Sequence, residues 1–169
     1  MTQRGISYLE ALVVVAMVAV LAATVVVPAY RSYLHSRAPR DAAATLAEDL
    51  GLLERVARNG TRDEGASLII VSADPLVYRC YRGRPAGVDP SSSLRALLVE
   101  RRFTDVALAA SPIDAATPLL YASNGSAQYV EGGVIADQHS TIEFSLQQRP
   151  RGTTALVSVD LFTGAVSLP

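Results

Sequence analysis

The strongest pattern in the chain is an unbroken apolar run near its start. Residues 11–27, ALVVVAMVAVLAATVVV, carry no charge and one polar side chain, Thr24. Widened to Ile6 and Tyr30, the stretch still holds a single charge, Glu10. As a helix it spans roughly 38 Å at ~1.5 Å per residue, enough to cross a bilayer. Its many valines lower helix propensity in water, but in lipid the backbone must pair with itself. The pattern predicts a membrane helix over residues 6–30.

The periodicity then changes. Pro28 and Pro39 each remove a helix hydrogen bond and predict a bend or interruption of the rod. Leu46, Leu50, Leu53 and Ala57 recur at i, i+4, i+7 and i+11, the stripe of an amphipathic helix over 31–60. Glu48, Asp49, Glu54, Arg55 and Arg58 are assigned to its other faces, toward solvent or other subunits. Asn59-Gly60 supplies a stop. From Ala66 onward, short β-like runs alternate with turn residues. Strands are expected at Ser67–Ala73, Leu76–Arg82, Leu94–Val99, Phe103–Ala109, Thr141–Gln147, Thr154–Asp160 and Ala165–Leu168. Gly83–Ser93, Ser111–Pro118 and Asn124–Gly133 read as loops. The fold class is therefore α+β: a long N-terminal helix, half apolar and half amphipathic, packed on an antiparallel β-sheet head.

Composition adjusts this picture in three places. At 169 residues, there is room for one domain with a modest core. The 15 basic and 16 acidic residues nearly cancel, which removes any global attraction for nucleic acid or anionic lipid. All the basic residues are arginine. A single cysteine, Cys80, excludes an intramolecular disulfide.

Two readings compete for the first residues. In one, Met1–Glu10 begins a secretory signal peptide, and Val27-Pro28-Ala29 is a small-residue cleavage site. Its charged start is poor, because Glu10 opposes Arg4. In the other, the chain is cut after Gly5, Ile6 becomes the new N-terminus, and Glu10 lies four residues further on. Gly5-Ile6-Ser7-Tyr8-Leu9-Glu10, followed by the apolar run and Pro28-Ala29-Tyr30, resembles the leader of type IV pilins and type II secretion pseudopilins. Ile6 stands where that family usually has Phe, and the proline falls one residue later than is common.

The resemblance implies that prepilin peptidase cuts after Gly5 and that Ile6 is then methylated. It implies a leader over 1–5, a membrane and assembly helix over 6–30, its amphipathic second half over 31–60, and a periplasmic head over 61–169. The protein is expected in the bacterial inner membrane, single-pass, with other pilins or pseudopilins and the inner-membrane assembly platform as partners. A carboxylate at mid-bilayer costs about 2.5–3.5 kcal/mol, less near the interface, so Glu10 needs a partner. The amine unmasked on Ile6, one helical turn away, supplies one. In a filament a neighbouring subunit's amine takes that role. Arg31, Arg37 and Arg40 run against this topology, since the positive-inside rule places that flank in the cytoplasm.

Thr141–Ser145, a turn around Arg151-Gly152, Leu156–Val159 and the Thr163-Gly164-Ala165-Val166 hairpin resemble the closing strands of GspH/FimT-type minor pilins. Thr45–Asn59 is similar to the helix of that group. Some FimT-type proteins are thought to bind DNA through arginines in the last hairpin; here that hairpin has none.

A search for catalytic chemistry finds no phosphate loop, nucleophile elbow or paired-carboxylate motif. His35 and His139 lack ligand-like neighbours, so no metal and no cofactor is expected. Asp63-Glu64 reads as a solvated turn. Cys80 reads as a buried thiol on the strand face of Leu76 and Tyr78. No enzyme activity is expected. Tyr78-Arg79-Cys80-Tyr81-Arg82-Gly83-Arg84 interleaves arginines with tyrosines, as nucleic-acid grooves do. Strand alternation turns Arg79 and Arg82 to opposite faces, so DNA binding through Arg79, Arg82 and Arg84 stands as a rival reading only.

Overall fold

The computed structural model describes residues 8–60, 65–83, 96–113, 117–131, 134–135, 140–150 and 152–169. Gly5, Ile6, Asp63, Glu64, Arg84, His139 and Arg151 lie outside them. The chain divides into two compact units, Met1–Arg37 and Ala38–Pro169.

The first unit is helical. α1 runs over Tyr8–Leu21, five residues of π-helix follow at Ala22–Val26, and α2 begins at Val27 and ends at Asn59. The helix continues through both prolines, so neither interrupts it; what changes is the hydrogen-bond pattern. Val27 donates its N–H to the Ala22 carbonyl, five residues back. Pro28 has no N–H, and its ring would collide with the carbonyl four residues earlier, that of Thr24. Widening the turn before it moves that carbonyl aside, which is how a π segment relieves a proline. The Thr24 hydroxyl donates to the Val20 carbonyl at 2.8 Å, satisfying its own polarity inside the apolar run. No side chain in α1 or the π segment is buried.

The second unit is α+β. From Ala38 onward, α2 buries Pro39, Ala42, Ala43, Leu46, Asp49, Leu50, Leu53 and Ala57. These pack against two antiparallel sheets in one core. The strands are β1 (Ala66–Ala73), β2 (Leu76–Arg82), β3 (Ala96–Phe103), β4 (Val106–Ala110), β5 (Leu119–Tyr121), β6 (Ala127–Glu131), β7 (Val134–Ile135), β8 (Thr141–Gln148), β9 (Thr154–Asp160) and β10 (Val166–Ser167). One sheet has the order β3-β2-β1-β5-β6-β7 and the other β10-β9-β8-β4. Thr104-Asp105 carries the chain from the first sheet to the second. Arg149 fastens that crossing: its N–H donates to the Asp105 carbonyl at 2.9 Å, and its guanidinium donates to the Thr104 carbonyl at 3.3 Å. The same guanidinium meets Asp74 at 2.6 Å, so three turns are joined at one end of the head.

Two sequence expectations are corrected. Asn124–Gly133, read as a loop, contains β6. Asn124-Gly125 does turn the chain, with the Gly125 N–H donating to the Ala122 carbonyl at 2.9 Å. The turn closes a hairpin between β5 and β6, as an Asn-Gly pair commonly does. Asp49, assigned to the polar face of the helix, is buried at 4% exposure. Its spacing explains this: it lies three residues after Leu46 and four before Leu53, on the apolar stripe itself.

Candidate functional site

The described part of the first unit presents an apolar surface with polar ends. Glu10 sits exposed near the start of the described helix. Val13, Ala16, Met17, Val20 and Leu21 share one face by helical spacing and line a shallow apolar groove. Past the π segment come Tyr30, Arg31, Tyr33, Leu34, His35 and Arg37. All are exposed, His35 included. The Arg37 guanidinium lies 4.7 Å from the centre of the Tyr33 ring, a cation–π contact between residues one turn apart. This helix is long and apolar enough to cross a membrane.

In the second unit, the polar groups are arranged around Asp49. The Tyr78 hydroxyl donates to Asp49 Oδ2 at 2.9 Å. Arg101 donates to the same oxygen from Nε at 3.0 Å, and to Oδ1 from Nη2 at 3.3 Å. α2 supplies the carboxylate, and the paired residues Tyr78 of β2 and Arg101 of β3 supply the donors. Burial, then the neighbouring Asp49 charge, holds the Tyr78 phenol well above its usual range. Burial, again followed by Asp49, pushes the Cys80 thiol up to about 12. Cys80 is therefore a protonated, enclosed thiol at neutral pH, a small core side chain rather than a nucleophile. No described buried side-chain N or O atom lacks a hydrogen-bond partner.

Arg79 faces the other side of β2 from Cys80. It pairs with Glu100, its cross-strand neighbour, at 2.8 Å. That pairing neutralises one of the three arginines offered for DNA contact. Arg82 closes β2 and is exposed, and Arg84 is outside the described residues. Among the described residues, no three His, Cys, Asp or Glu side chains gather closely enough to hold a metal ion. One head groove, of about 490 Å³, is lined by Arg40, Ala43, Thr154, Ala155, Leu156, Leu168 and Pro169. It carries no acid–base or nucleophilic pair.

Comparison of the chain with protein families, with curated proteins and with solved structures finds no match.

The sequence reading missed the Asp49–Tyr78–Arg101 cluster. One signal for it was available, the acid on the Leu46–Leu53 stripe. The two donors were not legible, because they become neighbours only through the register of β2 and β3.

Proposed function

We propose that this chain is a pilin-like subunit, a minor pilin or pseudopilin of a type IV pilus or type II secretion pseudopilus. On this reading its work is assembly rather than catalysis. The observation that carries it is the division of labour within the N-terminal helix. From Tyr8 to Tyr33 every residue is exposed and most are apolar, whereas from Ala42 to Ala57 a stripe is consumed by the head's own core. A helix whose apolar surface the chain leaves uncovered must find lipid or other helices. Glu10 is the single acidic group within that surface, and on this reading its charge answers an amine on Ile6 or on a neighbour's equivalent residue.

In this reading the leader 1–5 stays cytoplasmic, the helix inserts in the inner membrane, and the β-rich head stands in the periplasm. Prepilin peptidase cuts after Gly5, and lateral packing of the apolar helices then draws the subunit into a tip or initiation complex. Mass spectrometry of the protein purified from membranes tests this directly. N-methylated Ile6 as the first residue is the expected result. Retention of Met1–Gly5 in the functional form, or a terminus at Tyr30, refutes it.

A further inference from the structure

Where the apolar run ends, we infer that Tyr30, Arg31, Tyr33 and Arg37 form a collar that binds the phosphates of anionic phospholipids. The collar fixes the depth at which the helix leaves the membrane. The inference rests on the membrane-spanning reading and adds a ligand to it. Tyr8 to Val27 is about 30 Å of helix, the thickness of a hydrocarbon core. Tyr30 and Tyr33 begin roughly 5 and 9 Å beyond Val27, at headgroup depth, where tyrosine rings concentrate.

Arg37 starts farther out, roughly 15 Å past Val27. Helical side chains lean toward the N-terminus, and the guanidinium returns over Tyr33 at 4.7 Å. The ring contact therefore directs the charge back to the level of the phosphates. Arg31 is exposed on another face of the same helix, at the level of Tyr30. No acidic residue occurs between Glu10 and Asp41, so the collar is a local excess of positive charge in a chain of almost zero net charge. Guanidinium donors match phosphate oxygens in geometry as well as charge. Lipid phosphate is also what makes an arginine-rich exit tolerable on this flank, against the positive-inside trend.

The chain contains no tryptophan, so Leu34→Trp gives a single fluorescent reporter inside the collar. The full chain carrying it is reconstituted in phosphatidylcholine–phosphatidylglycerol bilayers, with one or the other lipid brominated. The ratio of quenching gives the preference of the collar for anionic lipid. A preference of about five-fold per arginine is expected at low salt, declining in high salt. It should fall close to one in the R31Q/R37Q variant, with quenching by brominated phosphatidylcholine retained. Equal preference for the two lipids in the parent chain, or an undiminished preference in the double variant, overturns the inference while leaving the membrane helix in place. Absence of quenching by either lipid overturns both.

Discussion

Asp49 on α2 and Arg101 on β3 stand 52 positions apart in sequence and meet through two hydrogen bonds, at 3.0 and 3.3 Å. The acid is 6% exposed at its side chain and the arginine 44%. This asymmetry gives the pair its leverage. Removing Arg101 leaves a carboxylate in the core with, among the described residues, the Tyr78 hydroxyl to answer it. Stranding a buried charge costs about 3–5 kcal/mol, reduced here because water reaches the arginine side. Arg101→Ala is expected to cost about 2–3 kcal/mol of head stability. Arg79→Ala is the internal comparison. Its pair with Glu100 is 41% and 37% exposed, so solvent screens it and its loss should cost clearly less than that of Arg101. Denaturant melts of both variants in detergent check the difference, and equal losses would refute the argument.

The enclosed thiol predicts alkaline lability. In the unfolded chain Cys80 deprotonates near its ordinary value of 9.0, whereas in the fold it holds its proton to about 12. Between these values the unfolded state binds fewer protons, so stability falls as pH rises. Below pH 9 the protonated thiol leaves stability unaffected. Tyr78 and Tyr121, both raised chiefly by burial from an ordinary 10.0, add to the decline above pH 10. The melting temperature of the parent protein should therefore begin to drop near pH 9. In Cys80→Ala the onset should move to about pH 10, read from melting curves across pH 7–11.

The extent to which the sequence disclosed this molecule follows from how local each signal is. Leu46, Leu50, Leu53 and Ala57 announced their stripe because one helix turn repeats it, and all four are buried. β1, β2, β8 and β9 were visible as short β-like runs bounded by turn residues. β5, with three residues, was too short to show a period. β6 was masked by the Asn-Gly turn that creates its hairpin. Asp49 reads as a surface acid by residue type, while its spacing from Leu46 and Leu53 puts it on the buried stripe. The Arg79–Glu100 pair needed the strand register, which no local pattern encodes.

Two glycines should respond to alanine with opposite signs. Gly51 lies in the interior of α2, and a Cβ there meets nothing within 4 Å. Gly51→Ala should stabilise by about 0.5–1 kcal/mol through helix propensity and a less free unfolded chain. Gly164 has φ +73°, and a Cβ there would strike the Gly125 carbonyl. Gly164→Ala combines the left-handed penalty of about 1–2 kcal/mol with that collision, for a loss of about 2–4 kcal/mol. Chemical denaturation of the two variants beside the parent gives both signs in one experiment.

On the proposed reading, substitution of Glu10 separates insertion from assembly. A carboxylate within an apolar helix opposes insertion, by up to about 2.5–3.5 kcal/mol at mid-bilayer. Replacing it should leave membrane insertion intact or improve it. If its charge answers an amine at Ile6 or on a neighbouring subunit, the same replacement should abolish co-purification of the chain with other pilin-like subunits. Glu10→Gln keeps the size and hydrogen-bonding capacity while removing the charge; Glu10→Ala removes both. Loss of assembly in both variants, with cleavage after Gly5 and membrane fractionation unchanged, assigns the role to the charge. Assembly retained by the glutamine variant alone would assign it to hydrogen bonding. If the alanine variant also assembles normally, the carboxylate does not set the register between packed helices, and the proposed mechanism fails.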